Sequence, residues 1–213
     1  MNQGHLKIAA ISPINTWIAR LLNPFCQQYP GINVSLDLMN SKRILQRLSQ
    51  NQDDLYLTSE PFIESGICSQ PFVQNPLVVV APPQHPLANQ RHLSIASLEG
   101  EAFIMREVGS ATRQAVQTVL NQHEVSVRVQ LEVGNNEAIK QMVMYGLGIS
   151  VLSRHIVATE VTNGQLSILD VQGFPINRNW YVVYPLSKPL SIVASTFLQF
   201  LEQEANDEAR LTA

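Results

Sequence analysis

Two short polar stretches hold the side chains of this 213-residue chain that are best suited to chemistry. Gly134–Ser153, GNNEAIKQMVMYGLGISVLS, reads as a polar turn, a helix, a glycine turn and a strand. Its opening pair, Asn135 and Asn136, sets amide side chains beside the unpaired N–H groups of a helix start, where an anion can be held. Arg106–Arg113, REVGSATR, is a second polar helix start. Gly109 loosens the backbone there, Ser110 and Thr112 offer hydroxyls, and Arg106 or Arg113 offers a guanidinium fork that fits a carboxylate or phosphate. Two earlier loops are of the same kind. Ser12-Pro13 places a hydroxyl at a cap and proline at the first helical position, and Asn40-Ser41 offers an amide and a hydroxyl. Any one of these is an ordinary helix cap. Arg113 alone reads as a solvated or salt-bridged residue, and Arg106 could equally pair with Glu107 or Glu132. Taken together the four loops suit the binding of one small anion.

Catalysis finds no comparable footing. No Ser/His/Asp or Cys/His set presents itself, and the carboxylates show no paired spacing. His155 reads as a hydrogen-bonded structural residue, and His85 and His92 as solvated linker positions. Cys26 and Cys68 have neither a CxxC partner nor nearby histidines, so no metal site and no cofactor are expected. Cys26 falls on an apolar helical stripe and is expected to be a small core residue; two free cysteines fit a reduced cytoplasm.

The elements that must position these loops alternate between strand and helix, the signature of α/β layering. His5–Ile11 reads as a strand, followed from Pro13 by a helix whose stripe runs through Ile14, Trp17, Ile18, Leu21, Leu22, Phe25 and Cys26. Asn33–Met39, Leu55–Thr58, Ile67–Val73 and Leu77–Ala81 read as strands, with a helix over Ser41–Ser49. Pro82-Pro83 breaks the chain, and a second unit repeats the pattern. Its strands are Phe103–Met105, Val127–Val133 and Ile149–Leu152, and its helices Ser110–Gln122, Asn136–Tyr145 and Arg154–Thr159. The strand Trp180–Tyr184 and helix Ser191–Glu204 are assigned back to the first unit, which gives each lobe a sheet of about five strands. The expected lobes are 1–81 with 171–213, and 82–170, with hinge crossings near Ala81–Gln84 and Asp170–Phe174. The tail Asn206–Ala213 is expected to fray. A ligand belongs at the carboxyl ends of such strands, where these loops enter helix starts from both lobes.

Composition bounds the partners. A net charge of −3 with 14 scattered basic residues argues against a direct grip on nucleic acid. No apolar segment is long enough to span a membrane, and the start MNQGHLKIAAIS lacks the layout of a signal peptide.

The chain resembles the effector-binding domain of LysR-type transcriptional regulators. The residues that carry the resemblance run nearly end to end: GHLKIAAIS, FCQQYPGINVSL, NPLVVVAPPQHPLA, FIMREVGSATR and NNEAIKQMVMYGLGISVLS. FCQQYPG, DDLYLTSEP and REVGSATR are similar to the branch governing carbon fixation and inorganic-carbon uptake. The resemblance implies an α/β fold of two Rossmann-like lobes joined by a two-segment hinge, like the type 2 periplasmic binding proteins. It implies a winged helix-turn-helix and linker helix in the parent protein, which is where DNA binding would reside; no such module precedes Gly4. Carried over residue by residue, Ser12, Asn40 and Ser41 fall at first-lobe ligand positions, and Ser110, Thr112, Arg113, Asn135 and Asn136 at second-lobe ones. The first loop departs from the family's Ser/Thr run, since SPINTW brings Pro13 and Ile14, and Glu60 in TSEP would repel an anion if it points inward.

The function implied is sensing of a phosphorylated or dicarboxylate carbon-status signal in the inter-lobe cleft, such as 2-phosphoglycolate, ribulose bisphosphate or 2-oxoglutarate. Binding would alter the geometry of a DNA-bound homodimer or homotetramer. The resemblance also implies antiparallel pairing of sensor domains, a first-lobe helix of one copy facing a second-lobe helix of the other; the apolar stripe of Ile14–Cys26 and, on the helix Asn136–Tyr145, Met142 and Tyr145 are the candidate surfaces. The competing reading is a solute-binding protein of a transporter.

Overall fold

The computed structural model describes residues 3–212, with side chains over residues 3–205. The chain divides into two compact units, one formed by the residues up to Gln74 together with those from Asn179 onward, the other by Asn75–Arg178.

The first unit is built on a five-stranded sheet. Strand β1 (Gly4–Ile11) pairs in parallel with β2 (Ile32–Met39) on one side and β3 (Leu55–Thr58) on the other. Between them run a short 3-10 turn (Ser12–Ile14), helix α1 (Asn15–Gln28) and helix α2 (Ser41–Ser49). Strand β4 (Ile67–Gln74) ends this first passage. The late strand β10 (Asn179–Pro185) then inserts antiparallel between β3 and β4, giving the order β2-β1-β3-β10-β4. Helix α6 (Ile192–Thr212) follows it. Strand β10 thus belongs to this unit's sheet. The reason is apolar: Trp180, Val182 and Val183 are buried with Ala194, Phe197 and Leu201 in the core that also takes Trp17, Ile18 and Phe25 from α1. Phe25 and Phe197 meet edge-on at 5.0 Å, a favoured aromatic geometry.

Helix α2 is held by a polar knot at its far end. Arg47 forks onto the buried Asp53 carboxylate, donating from Nε at 2.8 Å and from Nη2 to the other oxygen, and reaches Asp37 at 3.0 Å. The Tyr56 hydroxyl accepts from the Asp53 backbone N–H and donates to the Arg47 carbonyl. Within this knot Arg47, Asp53 and Tyr56 thus answer one another's polar groups.

The second unit begins at β5 (Leu77–Ala81), which pairs antiparallel with β8 (Ser150–Ser153) and β9 (Ser167–Ile168). Strands β6 (Ala102–Arg106) and β7 (Arg128–Val133) form a parallel pair, and a single parallel bridge, Phe103–Ile149, ties it to the other three. Helices α3 (Ala111–Gln122), α4 (Asn136–Met144) and α5 (Arg154–Thr162) complete it. Gly148 makes the bridge possible: a Cβ there would stand 2.5 Å from the Ala102 carbonyl oxygen.

The expected boundaries need correction. β5 belongs to the second unit, because Leu77, Val79 and Ala81 enter one apolar cluster and Val78 and Val80 the other. A strand buried on both faces is a central strand of its own sheet. Similarly, Val171 bridges to Leu93 and Ile176 to Leu77 within this unit, so residues 171–178 also leave the first lobe. The chain therefore changes units after Gln74 and after Arg178, rather than near residues 81 and 170.

Two smaller expectations also change. Cys26 is exposed, since Phe25 and Tyr29 occupy the core side of the last turn of α1. The backbone of α6 continues through Thr212, across the segment expected to fray, and Ala213 lies outside the described residues.

Candidate functional site

In the second unit β6 and β7 run parallel with Arg106 opposite Val133, so their carboxyl ends lie side by side. Each leads within four residues into a helix, β6 into α3 and β7 into α4. Two helix starts are therefore set next to one another where an α/β sheet offers a ligand position.

They differ in one respect that matters. Asn135 caps α4, its Oδ1 accepting from the Ala138 N–H at 2.9 Å. Ser110 stands at the same place on α3 and makes no side-chain cap bond, although the residue is only 5% exposed. Among the described residues no side chain answers the N–H groups of the first turn of α3, and the helix dipole favours a negative acceptor there. Thr112 stands within that first turn.

The charged residues around these starts are paired. Arg106, 6% exposed, donates from Nε and Nη2 to the two carboxylate oxygens of Glu107 at 2.7 and 2.9 Å, and from Nη1 to Asn136 Oδ1 at 2.8 Å. Burial pushes the Glu107 carboxyl up, but the hydrogen bonds and charge of Arg106 outweigh it, leaving the group below the usual range. Glu132 instead takes Arg113, whose Nη1 also donates to the Arg106 carbonyl at 2.9 Å. The Nε and Nη2 edge of Arg113 has no partner among the described residues. Of the two arginines named from sequence, Arg113 is the one with a fork to offer.

Behind α4, Lys140 is 8% exposed and bridges Glu137 at 2.9 Å and Glu160 of α5 at 2.6 Å. Burial opposes its charge, and the two carboxylates overcome that and raise its pKa. This pair fixes α4 against α5. Sequence reading missed it, although Lys140 lies beside Ile139 and three residues before Val143, inside the buried arc. A lysine in such an arc requires an acidic partner.

In the first unit, Ser12 is not a cap. The cap of the 3-10 turn is Ile11, and the Ser12 hydroxyl donates to the Met39 carbonyl at 3.3 Å, tying the ends of β1 and β2. Asn40 caps α2, with Oδ1 accepting from the Arg43 N–H at 3.0 Å, and Ser41 opens that helix. Thr58, buried at the end of β3 and donating to the Glu60 carbonyl at 2.8 Å, belongs to the same edge and went unremarked in the sequence. Ser12, Asn40 and Ser41 thus gather at one end of this unit's parallel strands, and Arg106, Ser110, Thr112, Arg113, Asn135 and Asn136 at the corresponding end of the other unit's.

Comparison with known proteins gives this arrangement a setting. The sequence model of the family described as LysR substrate binding domain matches residues 1–206. The chain belongs to this LysR family. The LysR domain is 46% identical over 209 residues to the HTH-type transcriptional activator CmpR of Synechocystis, covering 98% of this chain and 68% of that protein. It is 41% identical over 201 residues to a RuBisCO operon transcriptional regulator of Acidithiobacillus ferrooxidans, covering 94% and 65% respectively. The chain thus spans about two thirds of the length of these relatives. Among solved structures it matches the regulatory domain of Synechocystis CcmR in complex with 2-PG, at 49% identity and a TM-score of 0.90, over 95% of this chain and 98% of that one. This LysR domain is an effector-sensing domain of the carbon-fixation and CO2-uptake branch rather than an enzyme, and a transporter's solute-binding protein is not favoured. No helix among the described residues is long and apolar enough to cross a membrane.

Proposed function

We propose that the domain binds a small phosphorylated anion, 2-phosphoglycolate foremost, and that the open start of α3 is where the phosphate is held. The observation that carries this is the CcmR regulatory domain, so similar over nearly its whole length and solved with 2-PG. The geometry supports it. Free N–H groups at α3, the Thr112 hydroxyl and the unpartnered edge of Arg113 are the donor set a phosphate asks for. Ribulose bisphosphate and 2-oxoglutarate are proposed as competing candidates. A thermal-shift panel of the three anions tests this reading. At one hundred times its dissociation constant the true effector adds about 2.7 kcal/mol to stability. A melting temperature unmoved by all three at millimolar concentration would overturn it.

We further propose that binding changes the geometry of a homodimer or homotetramer, which acts on DNA through a helix-turn-helix carried elsewhere in the parent protein. Support for pairing comes from apolar surface left uncovered beyond the end of α4, where Tyr145 is 83% exposed and Leu147 42% exposed. Sedimentation of the isolated chain at micromolar concentration should return a dimer or larger. A monomer would leave assembly to other segments of the parent protein.

A further inference from the structure

We propose that Arg106 is a positioning residue of the anion site, and that the amide nitrogen of Asn136 is the donor it presents to the effector. This rests on the reading that the effector sits where α3 begins, beside the start of α4, and it gives the two residues separate parts there.

Arg106 is spent internally. Each of its three nitrogens has a protein acceptor, Nε and Nη2 on Glu107 and Nη1 on Asn136 Oδ1. Its charge is met by a carboxylate that stays ionised, as the lowered pKa of Glu107 requires. An arriving anion meets a neutral pair rather than a free cation. What Arg106 does fix is an orientation. A guanidinium only donates, so the oxygen of the Asn136 amide must face it and the NH2 must face away. That nitrogen is buried and has no acceptor among the described residues. Buried donors are ordinarily answered, and one held in place by a saturated arginine is a donor reserved for an acceptor still to come. Since water does not reach Nδ2 in this state, the acceptor arrives with a local opening of the site. Arg113, with its Nε and Nη2 edge unpartnered, touches the anion directly; Arg106 does not.

Nitrogen–proton correlation spectra of the 15N-labelled chain, titrated with 2-phosphoglycolate, test this. On saturation the Asn136 side-chain amide should shift together with the backbone amides of Thr112 and Arg113, while the Arg106 Nε signal stays in place. Asn136→Asp keeps an acceptor for Arg106, so it should fold, yet its affinity should fall at least about tenfold. Arg106→Lys should lose affinity comparably although it keeps the charge. An Asn136 amide that does not move while Thr112 and Arg113 do, or an Arg106→Lys variant that binds like the wild type, overturns this inference and leaves the site reading standing. Saturable binding that moves none of these signals overturns the site reading as well.

Discussion

Lys140→Met should cost the domain about 3–5 kcal/mol of stability, because it strands the inward-facing Glu160 carboxylate without its cation. Glu137, more than half exposed, simply returns to water. Urea unfolding with a freely fitted slope measures the loss, and the double variant Lys140→Met with Glu160→Leu should recover much of it, since removing both charges avoids the stranded carboxylate. The pH dependence of the wild type has a defined sign. Lys140 has a folded-state pKa above its ordinary 10.5, so its contribution is complete below 10.5 and is lost as pH rises through the folded value. For Glu137, burial pushes upward but the Lys140 hydrogen bond prevails and lowers its pKa beneath 4.5; its contribution is complete above 4.5 and is lost as pH falls through the folded value. Stability from this pair should be level between those limits. A loss under 1 kcal/mol in Lys140→Met would show that the ammonium does not hold α4 in place.

The second large effect is on binding. Thr112→Ala and Arg113→Ala should each weaken the affinity for 2-phosphoglycolate, the arginine variant by about ten- to a hundredfold, the cost of a charge-assisted hydrogen bond. Thr112→Ala removes a neutral donor, for which about 0.5–1.5 kcal/mol is expected. Neither should unfold the domain, because both side chains lie in the first turn of α3, outside the second unit's apolar clusters. Titration calorimetry on melting-checked variants reads both numbers. Unchanged affinity in both would move the anion away from α3.

What the sequence made legible was local. Ser41–Ser49, Leu55–Thr58 and Leu77–Ala81 are readable to the residue, because an amphipathic period or an unbroken apolar run bounded by polar residues marks them. The unit to which Leu77–Ala81 belongs was not. An apolar run states that both faces are buried, but its partners β8 and β9 lie some seventy or more residues further on, and nothing within LVVVA names them. The site divides in the same way. Residue types at Asn40, Asn135, Thr112 and Arg113 announce helix starts and donors. Which donors are consumed is a matter of three-dimensional pairing. Glu107 or Glu132 could equally take Arg106 on paper, and only the folded strand ends give Glu107 to Arg106 and Glu132 to Arg113. The hydroxyl of Ser12 likewise looks like a cap in sequence and serves as a tie between strands.

The effector's phosphate is proposed to sit at the uncapped start of α3. A crystal structure of the domain grown with 2-phosphoglycolate tests it most directly. The phosphate oxygens should accept hydrogen bonds from the Thr112 hydroxyl, the first-turn N–H groups of α3 and the Nε and Nη2 edge of Arg113, with the Arg106–Glu107 pair intact. A phosphate bound at full occupancy with no contact to residues 110–113 would place the anion site away from α3.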